Sequence, residues 1–196
     1  NNAKVKVRWV DAEKLSPENQ DKEFQGVDGV LIPGGFGDRG IEGKILASQY
    51  ARENKIPFFG ICLGMQCAII DFARNMCNLK GANSTEFDKN ASDPVIDIML
   101  DQKNVTRKGA TMRLGSYNCQ IKKGTKIYES YNVENIDERH RHRFEFNNDY
   151  IDDFEKHGIV FSGKNIKKRS RKSYAKNIRK SSKKASKIDA KTIKKP

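Results

Sequence analysis

The chain has 196 residues, a formal net charge of +13 and 36% hydrophobic residues, which is enough for one domain and a tail. No apolar run approaches the length of about 18 residues that a membrane-spanning helix needs, and no basic-then-apolar leader indicates secretion. Four cysteines in no obvious disulfide framework favour a reducing, cytoplasmic location.

The positive charge is concentrated at the C-terminus. Residues 164–196 contain 15 Lys or Arg and one acidic residue, whereas residues 1–163 contain 23 basic and 24 acidic residues. We therefore expect a near-neutral folded body at 1–163 and a basic low-complexity tail at 164–196. Such a tail cannot bury a core, so it is expected to be disordered.

The first part of the chain predicts strands that alternate with helices. Lys4–Val10 alternates and is rich in Val, which predicts a strand, and Asp11–Gln25 predicts a turn with a short helix. The apolar run Val27–Ile32 predicts a second strand, and Ile41–Asn54 has helical spacing. Between them lies a glycine loop, Pro33–Gly37, whose glycines allow close backbone approach.

A second strand-to-helix unit follows and carries a cysteine at its turn. The apolar run Ile56–Ile61 predicts a short buried strand, and Met65–Asn75 predicts a helix. Between them Gly60, Cys62 and Gly64 form a Gly-x-Cys-x-Gly turn. This is the cysteine version of a nucleophile elbow, in which flanking glycines let the turn close. A helix N-terminus also favours the thiolate, the attacking species.

The alternation of strands and helices predicts a parallel sheet, in which reactive groups collect at the carboxyl ends of the strands. The glycine loop and Cys62 both follow strands, so we expect them to face each other. Cys67, Cys77 and Cys119 lie on no such turn and are interpreted as small buried hydrophobes.

The second half of the chain has weaker patterns. Lys80–Lys108 shows little periodicity and predicts an irregular segment, and Thr111–Ile121 predicts a turn and then a strand. Phe144–Phe146 predicts a strand, Tyr150–Lys156 a short helix, and Gly158–Gly163 a last strand.

Five segments in this order resemble the class I glutamine amidotransferase domain of the CTP synthases. They are Pro33–Gly37, Gly60–Gln66, Asn83–Phe87, Gly109–Gly115 and Arg139–Arg143. The elbow alone indicates a class I amidotransferase, and the Asn83–Phe87 and Arg139–Arg143 segments narrow the resemblance to the CTP synthases. It covers about Val5–Gly163 and then stops.

The resemblance implies a fold and an activity. The fold would be flavodoxin-like α/β, with a parallel-rich central sheet and helices on both faces, here expected to be a fragment incomplete at both ends. The activity would be hydrolysis of L-glutamine through a cysteine thioester, supplying ammonia for ATP-dependent amination of UTP to CTP. The synthase domain that uses ATP and Mg²⁺ would be a partner absent from this chain. This domain itself would need no cofactor or metal, and the family is homo-oligomeric.

The resemblance also assigns roles to residues of this chain. Cys62 would be the catalytic nucleophile, and the backbone N–H groups of Gly35 and Leu63 would form the oxyanion hole. Glu86 would bind the α-ammonium of glutamine and Arg143 its α-carboxylate, for which a planar guanidinium is well suited. The full set of implied glutamine-binding residues is Gly35, Leu63, Gly64, Met65, Gln66, Glu86 and Arg143. Without the resemblance, Arg139–Arg143 would be interpreted as a solvated basic patch.

One expected part of the family pattern is missing. The family has a catalytic histidine in a His-Pro-Glu segment, whereas the histidines here are His140, His142 and His157, and none precedes Pro-Glu. A cysteine enzyme needs this base to activate the thiol and to protonate the leaving group. We therefore expect the chain to hydrolyse glutamine poorly or not at all.

Two other functions stay open at this stage. The chain could be a non-catalytic, degenerate amidotransferase whose basic tail binds nucleic acid through phosphates, an interpretation that composition alone supports weakly. It could also be another class I amidotransferase or a related cysteine hydrolase. The tail itself could be a targeting or solubilising extension, or the translation of an A/T-rich gene in a shifted frame.

Overall fold

A computed structural model of the chain describes residues 2–98 and 113–165. The tail from residue 166 onward and most of the Gly109–Gly115 motif therefore lie outside the described residues. The strands are β1 (Val30–Ile32), β2 (Phe58–Gly60), β3 (Ala82–Ser84), β4 (Asp93–Ile98), β5 (Arg113–Ile121), β6 (Asn135–His142), β7 (Phe144–Phe146) and β8 (Gly163–Asn165). The α-helices are α1 (Gln20–Phe24), α2 (Ile41–Glu53), α3 (Leu63–Asn75), α4 (Lys126–Tyr131) and α5 (Ile151–Lys156).

The predicted alternation of strands and helices is present in the first compact unit, which holds the described residues up to 116 and residues 139–161. Strands β1 and β2 pair in parallel, with Val30 opposite Phe58 and Ile32 opposite Gly60. Helix α2 connects them and helix α3 follows β2. The predicted strands at Val27–Ile32 and Ile56–Ile61 are therefore correct in kind, although each is shorter than its apolar run.

A second sheet in this unit has the order β3-β4-β7. Strand β4 pairs in parallel with β3 and antiparallel with β7, with Ile98 opposite Phe144. The pairing of β3 with β4 shifts register between Asn83 and Ser84. Because β4 is parallel to β3 and antiparallel to β7, the end of β3 and the start of β7 lie at the same edge of the sheet, which is the carboxyl end of β4.

The core of this unit consists of two groups of apolar side chains. One lies around helix α3 and includes Ile70, Val95, Ile96 and the fully buried Phe154 of α5. The other lies around β1 and includes Leu15, Phe24 and Ile32. The predicted short helices are confirmed, and Phe24 of α1 and Phe154 of α5 are the side chains that they bury.

The second compact unit holds residues 117–138 and the described residues from 162. Its sheet has the order β6-β5-β8, and β5 pairs antiparallel with β8. Helix α4 is capped by Thr125, whose hydroxyl accepts the Tyr128 N–H. The boundary predicted between residues 163 and 164 falls inside strand β8, because Lys164 and Asn165 continue its ladder.

Three predictions about strands are wrong. Lys4–Val10 forms no strand, and Val5 and Trp9 are 79% and 89% exposed, because its alternating pattern finds no partner strand among the described residues. The predicted strand Gly158–Gly163 enters a ladder only at Gly163. The segment Lys80–Lys108, predicted to be irregular, contains β3 and β4.

An ion pair between half-buried Arg52 and buried Asp71 joins helices α2 and α3. Arg52 donates two hydrogen bonds to the Asp71 carboxylate, at 2.9 and 3.0 Å, and Asn75 donates a third at 2.8 Å. Asp71 is almost fully buried, so this charge depends on Arg52 for compensation. By contrast, Arg74 pairs with Glu42, whose side chain is exposed.

We predict that Arg52→Met lowers the free energy of unfolding by about 3 kcal/mol, because it leaves a buried carboxylate without its cation. Glu42→Gln, at the exposed pair, should cost less than about 1 kcal/mol. Urea unfolding of the two variants measures both values. Equal losses would contradict the structural importance of the Arg52–Asp71 pair.

Candidate active site

Cys62 lies at the turn between β2 and α3, as the elbow pattern predicts. Its backbone has φ 53° and ψ −107°, a left-handed conformation that non-glycine residues rarely adopt. The side chain is half-buried, and Cys62 is the N-cap residue of α3. Strained backbone of this kind is typical of residues whose side chain must be held at a fixed place in a site.

The two glycines around Cys62 are required by close backbone contacts. A Cβ atom added at Gly60 would lie 2.6 Å from Gly64 C and 2.6 Å from Met65 N. A Cβ atom at Gly64 would overlap the carbonyl oxygen of Ile32, at the end of β1. The start of α3 therefore packs directly on both parallel strands, and only glycine fits at these two positions.

The glycine loop Pro33–Gly37 lies against the elbow, which confirms the expected juxtaposition. A Cβ atom at Gly34 would lie 3.4 Å from Cys62 Cβ, and one at Gly35 would lie 3.2 Å from Leu63 Cδ2. The backbone of Ile61 is fixed to the same strand end, because its N–H donates to Ile32 O at 2.9 Å. The loop and Cys62 thus meet at the carboxyl ends of β1 and β2.

The first turn of α3 contributes further residues to the predicted site. Leu63 is buried at the first helical position, where backbone N–H groups have no acceptor within the helix. Gly64 is buried and donates its N–H to Ile61 O at 2.9 Å. Met65 is 40% exposed on the outer side of this turn. The oxyanion role of Gly35 and Leu63 stays a prediction.

Glu86 and Arg143 lie at one edge of the second sheet. Glu86 follows β3 by two residues, and Arg143 directly precedes β7. Because β4 is parallel to β3 and antiparallel to β7, both residues belong to the carboxyl end of β4. Both side chains are half-buried, and the fold brings this acidic and this basic residue together although 57 positions separate them in the sequence.

Gln66 connects the elbow helix to this edge. Its side chain is buried, and its Nε2 donates to Phe144 O at 3.4 Å. Two buried polar atoms here have no hydrogen-bond partner among the described residues, namely the acceptor Gln66 Oε1 and the donor Arg143 Nε. Buried polar atoms are normally paired, so both are suited to a polar ligand.

Burial raises the pKa of Glu86 above its ordinary value, and the positive charge of Arg143 partly offsets this effect. A carboxylate that is held partly out of water and beside an arginine is favourable for a ligand that brings its own positive charge. The placement of Glu86 is therefore unfavourable for the empty protein and favourable for binding an ammonium group.

The other cysteines differ from Cys62 in position. Cys67 is fully buried in α3, and burial raises the pKa of its thiol to about 12. Cys77 and Cys119 are half-buried, so the interpretation as buried hydrophobes holds fully for Cys67 only. Burial is also the main reason why the pKa values of the Cys77 and Cys119 thiols are raised.

The histidines lie on β6 and at the C-terminal end of α5. The rings of His140 and His142 pack edge to face on β6, with centroids 5.8 Å apart. His157 caps the C-terminus of α5, and its Nδ1 lies 2.7 Å from Asp153 O. Within the part of the chain that the structure describes, no histidine is hydrogen-bonded to Cys62 Sγ.

The comparisons with known proteins agree with this geometry. The family model "Glutamine amidotransferase class-I" matches residues 1–183. The chain belongs to the class-I glutamine amidotransferase family. The structure also resembles the glutaminase domain of a Trypanosoma brucei CTP synthase with bound acivicin, with a TM-score of 0.76 and 40% identity. That match covers 82% of this chain and 62% of the other chain, and it confirms the class I amidotransferase fold.

Several CTP synthases are similar to this chain in sequence. That of Caldanaerobacter subterraneus subsp. tengcongensis is 61% identical over 159 residues, which cover 81% of this chain and 30% of that protein. That of Chlorobium phaeovibrioides is 62% identical over 165 residues, covering 83% of this chain and 28% of that protein. The chain thus spans about 30% of the length of these relatives, and the predicted resemblance to the glutaminase domain of CTP synthases is confirmed. No helix among the described residues is long and apolar enough to cross a membrane.

We predict that Gly64→Ala slows alkylation of Cys62 by an amino acid electrophile about 100-fold, because its methyl group would displace the elbow from Ile32 O. Gly29→Ala is a matched control, since a Cβ atom there would make an ordinary contact of 3.5 Å with Pro57 O. Peptide mapping by mass spectrometry gives the rates. Equal rates for both variants would show that the close packing of Gly64 does not shape the elbow.

A second prediction concerns Glu86 and pH. Because its pKa is raised in the folded chain, the stability that Glu86 contributes is greatest at low pH and is lost as the pH rises through the raised pKa. Glu86→Gln should therefore raise the melting temperature at neutral pH, and this gain should vanish well below 4.5, the ordinary value.

Glu18→Gln is the control for the sign of this effect. A hydrogen bond from Ser16 lowers the pKa of the exposed Glu18, so this substitution should give no stabilisation at neutral pH. Thermal unfolding at several pH values measures both variants. A stabilisation by Glu86→Gln that persisted at low pH would contradict desolvation of the carboxylate as its cause.

Proposed function

We propose that this chain binds L-glutamine and uses Cys62 to attack its side-chain amide. The observation that carries the proposal is the grouping of a strained cysteine elbow with Glu86, Arg143 and Gln66 at neighbouring strand ends. A free amino acid presents an ammonium, a carboxylate and a reactive side chain, and this grouping offers a counterpart for each. The family membership supports the same chemistry.

The amino acid end of glutamine would be held by charge. Glu86 would accept hydrogen bonds from the α-ammonium, whose positive charge offsets the desolvation of the carboxylate. Arg143 would donate to the α-carboxylate, which would satisfy its unpartnered Nε. Gln66 Oε1 would accept a further hydrogen bond from the ligand. Gly64 and Met65 would line the pocket beside the nucleophile.

The chemistry would proceed in two steps. The Cys62 thiolate attacks the side-chain carbonyl carbon, a C–S bond forms, and the carbonyl oxygen becomes negative beside the N–H groups of Gly35 and Leu63. The C–N bond then breaks, and nitrogen leaves as ammonia after taking one proton. Water next attacks the thioester, which releases glutamate and restores the thiol.

We further propose that the 196-residue chain carries out these steps slowly. Its sequence has three histidines, and none is followed by Pro-Glu as the family pattern requires. Without such a base, both thiol activation and protonation of the leaving nitrogen depend on water. Loss of one member of a catalytic group commonly costs several orders of magnitude in rate.

In a longer protein, the ammonia would pass to an ATP-dependent synthase domain that aminates UTP to CTP. This part of the proposal rests on the similarity to CTP synthases, of which the chain spans about 30%. A cytoplasmic location and a homo-oligomeric assembly belong to the same proposal.

Acivicin tests the binding proposal without requiring turnover, because this electrophilic amino acid can alkylate a thiol with loss of chloride. We expect saturable labelling of Cys62, protection by L-glutamine and no protection by D-glutamine. Glu86→Gln and Arg143→Gln should each weaken protection by L-glutamine at least about tenfold, because each removes a charged hydrogen bond to the ligand.

Two controls complete this experiment. Cys62→Ser should abolish labelling, whereas Cys77→Ser, on the helix end away from the elbow, should leave it unchanged. Labelling that L-glutamine does not slow would contradict the proposed function. Ammonia release at a rate ordinary for an amidotransferase would contradict the part of the proposal that concerns the missing base.

A further inference from the structure

The position of Glu86 raises a structural question, because it lies in a turn and not on a strand. The chain leaves β3 at Ser84, and residues 85–87 form the turn. A carboxylate on a turn has no strand ladder to hold it, whereas a binding residue must be kept close to one geometry. The contacts of the two preceding residues, Ser84 and Thr85, supply that restraint.

Ser84 stabilises the turn by accepting hydrogen bonds from its backbone N–H groups. Its side chain is fully buried, and its Oγ accepts the backbone N–H of Glu86 at 3.2 Å. Its carbonyl oxygen accepts the N–H groups of Phe87 at 3.1 Å and of Asp88 at 3.0 Å. Three consecutive amides of the turn are therefore fixed to one buried residue.

Thr85 ties the same turn to the central strand of the sheet. Its N–H donates to Ile96 O at 3.0 Å, and its hydroxyl donates to Asp97 Oδ1 at 2.7 Å. The same Asp97 oxygen accepts the N–H of Ile98 at 2.7 Å. A hydrogen bond to a carboxylate is stronger than one between neutral groups, so this contact is a firm anchor.

Strand β4, which contains Asp97, also pairs with strand β7, which Arg143 directly precedes. Ile98, next to Asp97, lies opposite Phe144 in the β4–β7 pairing, and Phe144 follows Arg143 directly. Asp97 thus connects the turn that carries Glu86 to the strand position that carries Arg143. The separation of the two charged side chains depends on this short series of bonds across β4.

We propose that Ser84 and Thr85 are positioning residues that set the distance of the Glu86 carboxylate from Arg143, with Asp97 as their anchor. They touch no substrate and act through Glu86. This inference rests on the proposed function, because it assumes that Glu86 binds the ammonium group of glutamine.

The test uses the concentration dependence of acivicin labelling at Cys62 in the 196-residue chain. Thr85→Val keeps the shape of the side chain and removes the hydroxyl. We expect the half-saturating acivicin concentration and the protection constant of L-glutamine to rise about tenfold, with the maximal labelling rate unchanged. Alkylation of Cys62 by iodoacetamide, which needs no clamp, should keep its rate.

Thr85→Ser is the matched control, because it restores the hydroxyl and should bring both constants back towards those of the original chain. Ser84→Ala removes the acceptor for the Glu86 N–H and should give the same split between binding and maximal rate. Ser84→Ala also carries the test if Thr85→Val does not fold.

The outcomes separate this inference from the proposed function. Weaker binding in both variants, an unchanged maximal rate and rescue by Thr85→Ser support it. Unchanged binding constants in folded Thr85→Val and Ser84→Ala overturn it while leaving the proposed function intact. Labelling of the original chain without protection by L-glutamine overturns both, because Glu86 would then have no ammonium group to bind.

Discussion

The close packing of helix α3 on the ends of β1 and β2 is the constraint on which the site depends. Gly64 packs directly on the carbonyl oxygen of Ile32, and Gly60 packs on the backbone of the first turn of the helix. Neither position therefore accepts a side chain. Between these two glycines the backbone of Cys62 adopts its left-handed conformation. Cys62 is thereby held against the Pro33–Gly37 loop, and its position follows from backbone sterics before any polar contact is made.

The second constraint is electrostatic. Glu86 and Arg143 come from distant parts of the sequence and meet at the carboxyl end of β4, where burial raises the pKa of the carboxyl group. The buried atoms Gln66 Oε1 and Arg143 Nε have no hydrogen-bond partner among the described residues. Such a site is costly when empty and becomes favourable when a zwitterionic ligand supplies the missing charges and hydrogen bonds.

The sequence predicts the local parts of this arrangement but not the contacts between segments that are far apart in the chain. The Gly-x-Cys-x-Gly elbow and the glycine loop are short patterns with a direct steric meaning, and both were found. The sequence does not predict strand β4, because it contains Pro94 and its apolar residues do not alternate regularly, and it is a strand only through pairing with β3 and β7. The strand prediction for Lys4–Val10 is wrong for the opposite reason, since its alternation is clear but no described strand pairs with it. The proximity of Glu86 and Arg143 came from family resemblance, because no local pattern encodes it.

A crystal structure of the Cys62→Ser chain with L-glutamine would test the central claim most directly. We expect the α-ammonium to lie at hydrogen-bond distance from Glu86, the α-carboxylate at Arg143, and the side-chain amide carbon opposite residue 62. The amide oxygen should point to the N–H groups of Gly35 and Leu63. Glutamine bound in another place or orientation, or an empty site at saturating glutamine, would contradict the assignment of this edge as a glutaminase site.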